Sequence, residues 1–232
     1  MTEQPVTLIT GSRKGIGRFL AEHYTGKGHL VAGCSREAAS PLPGYEHFCL
    51  DVSDEKAVRN MIAAIRQKYG RLDHLINNAG IASVGHSLLT TGETMLRLYQ
   101  TNVMGTFWFC RESAKLMKKR QFGRIVNFST VAVPLRLPGE AAYASSKAAV
   151  VSLTEILARE LGPLGITVNA VGPTPVYTDL IAAMPADKVQ EVIDRQSVRR
   201  PGTFADIANA IDFFLRPESD FVNGQVLYLG GC

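Results

Sequence analysis

Cysteine is scarce in this chain, and its positions exclude folds that depend on cysteine pairs. The 232 residues contain 4 cysteines, and no two of them stand in a Cys-x-x-Cys arrangement: Cys34, Cys49, Cys110 and Cys232. Each lies in or beside an apolar run, where a buried free thiol is the expected state. We therefore expect no disulfide framework, which favours a reducing compartment.

Long apolar runs are also absent. No segment approaches the roughly 20 apolar residues that cross a bilayer, so no membrane association is expected. Residues 1–5 lead directly into a predicted strand, without the basic and apolar regions of a signal peptide. We expect a cytoplasmic protein.

Massed charge and metal-ligand spacing are missing as well. The formal net charge is only +4, and the 25 Lys and Arg residues are scattered along the chain. This does not indicate nucleic-acid binding, although it suits an anionic ligand. The 5 histidines show no zinc-ligand spacing and no Gly-x-Ser-x-Gly elbow occurs. Neither a metal site nor serine-hydrolase chemistry is expected.

The chain does contain a regular alternation of strand and helix patterns. Strands are predicted at 6–10, 29–35, 46–50, 72–77, 123–128, 166–171 and 225–229. Helices are predicted at 15–24, 54–69, 90–119, from before 143 to about 161, and at 204–215, with short helices at 178–202 forming a mobile lid. Prolines and a glycine between the second and third strands leave no room for a helix there. The pattern predicts a single α/β domain over 1–232, built on a doubly wound parallel sheet of about seven strands with helices on both faces.

The first strand leads into a glycine-rich turn and a helix. Gly11, Gly15 and Gly17 are spaced for a tight turn, a close approach of backbone to phosphate, and close helix packing. Free N–H groups at the helix start would face a pyrophosphate. In such folds, the ligand lies beyond the carboxyl ends of the strands.

Ser35 and Arg36 end the second strand, where a dinucleotide fold reads the adenosine ribose. A hydroxyl and a guanidinium suit a 2′-phosphate, whereas an acidic residue would suit NAD, and Lys14 adds a second cation. We therefore predict a preference for NADP(H), the alternative being that Arg36 and Lys14 are ordinary surface charges. Asp51, after the third strand, is a candidate either for the adenine edge or for a helix N-cap.

Two asparagines mark further positions of interest. Asn78 begins the small turn Asn78-Ala79-Gly80, which lets backbone approach something flat. Asn102 lies inside the predicted helix 90–119, where an asparagine among apolar residues competes for backbone hydrogen bonds. A kink at Asn102 that frees a carbonyl for a water is one explanation.

Tyr143 and Lys147 are four residues apart on a predicted helix and therefore share one face. A unit charge about 4 Å from a phenol, at an effective dielectric of about 20, is worth roughly 4 kcal/mol, or about three pKa units. Such a lysine would make Tyr143 a usable proton donor or acceptor. The pair alone is weak evidence, since the spacing also arises by chance.

Taken together in their order and spacing, these motifs resemble the short-chain dehydrogenase/reductase family over essentially the whole chain. The resemblance implies a Rossmann-type fold, a nicotinamide cofactor, and a homodimer or homotetramer. It also implies that Tyr143 is the general acid or base, that Lys147 holds the ribose and lowers the Tyr143 pKa, and that Asn102 supports a proton-relay water. The expected dinucleotide contacts are Gly11, Ser12, Arg13, Lys14, Gly15, Ile16, Gly17, Ser35, Arg36, Asp51, Val52, Asn78, Ala79, Gly80, Tyr143, Lys147, Pro173, Val176 and Thr178.

Two departures from the family pattern concern the substrate side. Thr130 stands where the family usually has Ser; its hydroxyl can still donate to a carbonyl oxygen, but its methyl narrows the pocket. We favour Thr130 over Ser129, since successive side chains point opposite ways. The usual Pro-Gly reads Pro173-Thr174. The expected substrate-lining residues are Ile81, Ser83, Thr130, Val131, Val133, Leu135, Leu137, Thr174, Tyr177 and Met184.

The predicted reaction is NADPH-dependent reduction of a ketone to a secondary alcohol, with Thr130 and Tyr143 binding the oxygen. The pattern looks most like 3-oxoacyl thioester reductases; sugar, polyol, steroid or secondary-metabolite ketones remain open, as does a sensor or scaffold that binds NADP(H) without catalysis. A patch of cations is a candidate surface for an acidic acyl carrier protein or coenzyme A, the alternative being a solvated helix end: Lys115, Lys118, Lys119, Arg120 and Arg124.

Overall fold

The computed structural model describes residues 4–178, 181 and 186–232. Within them, seven strands form one parallel sheet in the order β3-β2-β1-β4-β5-β6-β7. The strands are β1 (Val6–Thr10), β2 (Leu30–Ser35), β3 (Tyr45–Cys49), β4 (His74–Asn77), β5 (Gly123–Phe128), β6 (Ile166–Gly172) and β7 (Val226–Tyr228). This confirms the predicted fold class. The order reverses between β1 and β4, which opens a crevice at their carboxyl ends.

Helices cover both faces of the sheet. They are α1 (Gly15–Gly26), α2 (Glu55–Tyr69), α3 (Gly92–Tyr99), α4 (Gly105–Met117), α5 (Ala132–Leu135), α6 (Ala141–Leu161), α7 (Ala186–Asp194) and α8 (Phe204–Leu215). On one face, α2, α4 and α6 pack their apolar sides against the sheet, as Ile65 and Phe109 illustrate. On the other face, α1 and α8 do the same through Leu20 and Ile211. None of the helices in the described part of the chain is both long and apolar enough to span a membrane.

The predicted helix 90–119 is wrong as one continuous element. A π-helical turn, Gln100–Met104, separates α3 from α4 and carries Asn102. The Asn102 side chain is tied to another segment, and its backbone carbonyl accepts a hydrogen bond from the Thr106 hydroxyl at 2.8 Å. The π-helical turn is the irregularity that the mid-helix asparagine indicated. The prediction assigned a freed carbonyl to a water, whereas in the structure the Asn102 carbonyl accepts from the Thr106 hydroxyl.

The connections from β2 to α2 settle two further expectations. No helix occurs between β2 and β3, as the prolines indicated. The N-cap of α2 is Asp54, whose carboxylate accepts from the backbone N–H groups of Lys56 and Ala57. Asp51 instead accepts from the backbone and hydroxyl of Ser53 at 2.9 and 2.7 Å. Asp51 is therefore not the cap.

The predicted lid, 178–202, is described only in part. It contains α7, and a parallel bridge joins Val176 to Gly202 where the segment returns to the sheet. Met184 lies outside the described residues, so its assignment to the substrate wall stays a prediction.

Candidate active site

A cavity of about 960 Å³ lies at the carboxyl ends of the strands. It runs from the turn after β1, past the end of β2, to the segments that follow β5 and β6. The predicted residues that line it are Gly11, Arg13, Lys14, Gly15, Ile16, Gly17, Ser35, Arg36, Asp51, Val52, Asn78, Ala79, Gly80, Ile81, Ser83, Thr130, Val131, Leu137, Tyr143, Lys147, Pro173, Thr174, Val176 and Thr178. Residues from distant parts of the chain thus share one wall.

The glycine turn after β1 is fastened to the turn after β4. The Asn78 amide donates to the backbone carbonyls of Thr10 and Gly11 at 2.9 and 3.1 Å, and the Thr10 hydroxyl accepts from the Ala79 N–H at 2.9 Å. A Cβ at position 17 would collide with the Gly11 carbonyl oxygen. Gly17 is therefore required for α1 to start this close to the turn.

The N-terminus of α1 is open toward the cavity. Its N-cap residue, Lys14, has an extended backbone and makes no side-chain cap, and the first turn contains no acidic residue. Uncapped N–H groups and the positive end of the helix dipole favour an anion at this position. This part of the cavity therefore fits a pyrophosphate.

The corner at the end of β2 carries a hydrogen-bond network that the sequence did not reveal. The Ser35 hydroxyl donates to the Glu37 carbonyl at 2.6 Å and bonds the His47 imidazole at 3.0 Å. Arg13 forms an ion pair with the Glu37 carboxylate at 3.0 Å, while Arg36 also lines the cavity. Arg13 and Arg36 thus both line the corner where the adenosine ribose is expected. The Glu37 carboxylate, however, partly neutralises the charge of Arg13.

Ser12, which was predicted to contact the dinucleotide, does not line the cavity. Its side chain is fully buried, and its hydroxyl bonds the Tyr45 hydroxyl at 2.7 Å and the Cys34 carbonyl at 3.4 Å. Its backbone N–H donates to the same carbonyl. Both groups are used to anchor the turn to β2, so neither reaches the cavity.

Asn102 supports the site without lining the cavity. Its amide oxygen accepts from the Ile81 N–H at 2.9 Å, while its amide nitrogen donates to the Ile81 carbonyl at 2.9 Å and to the Ser146 hydroxyl at 3.0 Å. The fully buried side chain thereby joins the segment after β4 to α6. These hydrogen bonds link Ile81 to α6, the helix that carries Tyr143.

Tyr143 and Thr130 face each other across the inner end of the cavity. The Thr130 side chain, after β5, lies near the phenol of Tyr143 on the first turn of α6, and both residues line the cavity. The buried Ser129 side chain lies near the phenol of Tyr228. Desolvation raises the pKa of Tyr143 to about 12, with the nearby Thr130 hydroxyl opposing the rise and the Glu140 carboxylate adding to it.

Lys147 does not lower the Tyr143 pKa as expected. Its Nζ donates to the Phe128 carbonyl at 2.8 Å, and its side chain is buried. Desolvation lowers the pKa of Lys147 to about 8. The expected charge effect on the phenol fails because burial dominates both groups.

Comparison with known proteins is consistent with this geometry. A family model described as Enoyl-(Acyl carrier protein) reductase matches residues 11–231. The 3-oxoacyl-[acyl-carrier-protein] reductase FabG of Haemophilus influenzae is 30% identical over 233 residues, which cover 97% of this chain and 96% of that protein. The chain is a short-chain dehydrogenase/reductase.

Two solved structures show the same architecture as this reductase. One is described as ElxO with NADP bound, with a TM-score of 0.89, 31% identity, and coverage of 98% of this chain and 97% of that one. The other is the ligand-free aldohexose dehydrogenase of Thermoplasma acidophilum, with a TM-score of 0.89, 28% identity, and coverage of 99% and 94%.

Several predicted substrate residues of the reductase lie away from the cavity. Val133 and Leu135 fall outside its lining, because the chain turns into α5 after Val131 instead of continuing as a strand. Tyr177 is 75% exposed and also outside the lining. The prediction used only their positions after the strand ends and within the lid, and position alone does not say where a side chain points in a short helix or a bend.

The five cations predicted as a carrier-protein patch do not form one exposed surface, because Arg124 is buried. Arg124 is buried, donates to the Arg216 and Pro217 carbonyls, and stacks on Phe122. Lys115 is paired with Glu112 at 2.8 Å. Residues 118–120 are exposed and precede β5, so they lie near the amino ends of the strands, about 20 Å from the carboxyl ends where the cavity is.

Three charged residues line the cavity although the sequence did not indicate them: Glu37, Arg97 and Glu140. Glu140 precedes Tyr143 by one helical turn, and that spacing could have identified it. Arg97 lies on α3, which packs near α6 only in the folded chain. The sequence carried no signal for this contact.

Proposed function

We propose that this reductase transfers hydride from NADPH to a ketone and produces a secondary alcohol. The cofactor is NADP(H). The observation that carries the proposal is that Tyr143 and Thr130 line the inner end of one cavity, close to each other, and that this cavity continues to the glycine turn and the Arg13–Arg36 corner. Two hydroxyls at one point suit a carbonyl oxygen that gains negative charge.

The residues on the cavity wall fit the cofactor. The α1 N-terminus would hold the pyrophosphate, Arg36 and Arg13 a 2′-phosphate, and Lys147 the nicotinamide ribose. When bound, NADPH supplies the hydride. Pro173, Thr174 and Val176, after β6, would flank the nicotinamide ring.

Proton delivery falls to Tyr143 in this proposal. A phenol with a pKa near 12 is protonated at neutral pH and can donate to the substrate oxygen. Thr130 donates a second hydrogen bond to that oxygen, and Asn102 acts as a positioning residue through Ile81 and Ser146.

We propose a 3-oxoacyl thioester as the substrate, carried by coenzyme A or an acyl carrier protein. The support is the similarity over nearly the full chain to a 3-oxoacyl-[acyl-carrier-protein] reductase. Arg97, exposed on the cavity wall, would suit the anionic arm of such a substrate. A sugar or polyol ketone is the second candidate, favoured by the carboxyl group of Glu140 in the wall.

Further expectations accompany this assignment. We propose that 1–232 is one catalytic domain, that 178–202 forms a lid, and that the chain works as a homodimer or homotetramer. Ile181 and Val192 of the lid segment line the cavity. The four free cysteines suit a cytoplasmic location.

A turnover screen tests the substrate proposal. NADPH oxidation would be followed by absorbance with 3-oxobutanoyl thioesters of coenzyme A and of a carrier protein, a sugar ketone and a steroid ketone, each repeated with NADH. We expect the highest kcat/KM for a thioester with NADPH. Faster reduction of the sugar ketone would favour the second candidate, and cofactor binding without turnover would contradict the assigned reaction.

A further inference from the structure

Glu140 places a carboxyl group in the cavity wall one helical turn before Tyr143. It lines the cavity, yet its side chain is only 5% exposed. It is the N-cap residue of α6, but it makes no side-chain cap. The carboxyl group is therefore not used to start the helix.

The Oε2 atom of Glu140 is buried and has no hydrogen-bond partner among the described residues. A buried acceptor that lacks a donor costs free energy, and at a cavity wall a donor from a bound ligand or an ordered water is the usual compensation. Burial also raises the pKa of Glu140, and no cation compensates it. Packing alone gives no reason for a glutamate at this position.

We propose that Glu140 is a specificity-determining residue that accepts a hydrogen bond from an O–H or N–H group of the substrate. The inference rests on the proposed ketone reduction and adds a requirement to it. Side chains three residues apart on a helix have Cβ atoms about 5–6 Å apart. The substrate donor therefore lies a few ångströms from the carbonyl held by Tyr143 and Thr130.

Two kinds of ketone carry such a donor. A hydroxy ketone, as in sugars and polyols, has an O–H next to the carbonyl. A 3-oxoacyl thioester has the first amide N–H of its pantetheine arm. The chemistry that Glu140 recognises is the same in both, so substrate pairs that differ only in the donor distinguish the two sources.

The test measures kcat/KM for two such pairs with NADPH. The first pair is hydroxyacetone and butanone, which differ only in having a hydroxyl or a methyl group on the carbon next to the carbonyl. The second is the N-acetylcysteamine thioester of 3-oxobutanoate and its acetoxyethyl analogue, which exchange N–H for O. For at least one pair, we expect the wild type to prefer the donor by about tenfold or more, because an unpaired buried acceptor penalises the analogue.

Glu140→Met keeps the side-chain length and removes the acceptor, so it should abolish that preference, mainly through KM. Glu140→Gln keeps a side-chain acceptor and should retain most of the preference for the substrate that carries the donor. A purely structural role of Glu140 would not predict this. Glu155→Met, an exposed carboxylate on the same helix, is the matched control and should keep the preference.

The outcomes are separable. The pair whose preference disappears in Glu140→Met identifies the donor. A wild type that discriminates in neither pair overturns the inference, even if Glu140→Met does not fold, and so does a preference that Glu140→Met retains. If no ketone at all consumes NADPH, the proposed function itself fails.

Discussion

At the scale of single residues, the site depends on groups whose ionisation is controlled by burial. Tyr143 keeps its proton because desolvation and the Glu140 carboxylate raise its pKa to about 12. Lys147 holds its Nζ against the Phe128 carbonyl instead of the phenol. The phenol is thus protonated at neutral pH, and the lysine side chain is held by a backbone carbonyl.

Tyr143→Phe should lower kcat/KM for ketone reduction by about 10²- to 10⁴-fold, since it removes the proton donor. NADPH affinity, measured by the fluorescence of the bound cofactor, should change little. Tyr177→Phe is the control, because Tyr177 is exposed and outside the cavity lining. Near-normal turnover by Tyr143→Phe would remove Tyr143 from the mechanism.

Glu37→Gln should strengthen NADPH binding relative to NADH. The Glu37 carboxylate pairs with Arg13 at 3.0 Å, so its removal frees the guanidinium for a 2′-phosphate. Because the pair is exposed, the gain should be modest, about two- to fivefold in Kd. Glu22→Gln, which breaks the Arg18 pair, is the control. An equal effect on NADH would place Glu37 away from the 2′ position.

At the scale of elements, the π-helical turn between α3 and α4 and the capped start of α8 hold segments next to the site. The turn presents Asn102 to Ile81 and α6, and its geometry depends on that one side chain. The start of α8 is held by a capping box between Thr203 and Asp206. Each element is stabilised by a small number of polar contacts.

Asn102→Ala should lower the free energy of unfolding by about 2–4 kcal/mol, since it leaves the Ile81 N–H and carbonyl and the Ser146 hydroxyl without their partner. Urea denaturation measures the loss. Asn209→Ala, at an exposed position on α8, is the control and should change the free energy of unfolding by less than about 0.5 kcal/mol. Equal losses would show that the Asn102 contacts contribute nothing specific.

Asp206→Asn should remove stability at neutral pH and flatten the acid side of the stability curve. The Arg200 ion pair and the Thr203 cap lower the pKa of Asp206 below its ordinary 3.8. A lowered folded-state pKa means that the contribution is present above pH 3.8 and is lost as the pH falls below it. Thermal unfolding should therefore separate wild type and variant fully at pH 7, and the separation should shrink progressively as the pH falls below 3.8.

At the scale of the whole molecule, the edge of the sheet at β7 is incompletely covered. A second cavity of about 530 Å³ lies between α8 and β7, and Phe213 and Leu227 in its wall are 42% and 41% exposed. Half-exposed apolar side chains on adjacent elements are typical of an interface between copies. This surface is the place where we expect a homodimer or homotetramer to form.

Light scattering after size exclusion should give a dimer or tetramer for the wild type. Phe213→Asp should halve the mass of that species, because it buries a charge in the interface. Leu89→Asp, an exposed position on a short 3₁₀ helix, is the control and should leave the mass unchanged. A monomeric wild type would contradict the assembly.

The sequence by itself determined the doubly wound sheet, the glycine turn, and the positions of Asn78, Thr130, Tyr143 and Lys147. The sheet, the glycine turn and the Tyr143–Lys147 pair follow from local periodicity and spacing, whereas Thr130 is identified through the resemblance to the short-chain dehydrogenase/reductase family. The absence of a helix between β2 and β3 was determined in the same way, since proline acts locally.

Only the tertiary structure decided what depends on burial and on contacts between distant segments. It placed Ser12 behind the turn and Arg124 in the core, and it raised the pKa of Tyr143 instead of lowering it. It also brought Glu140, Arg97 and Glu37 onto the cavity wall. Desolvation and the direction of a side chain depend on what packs around a residue, and that packing exists only in the folded chain.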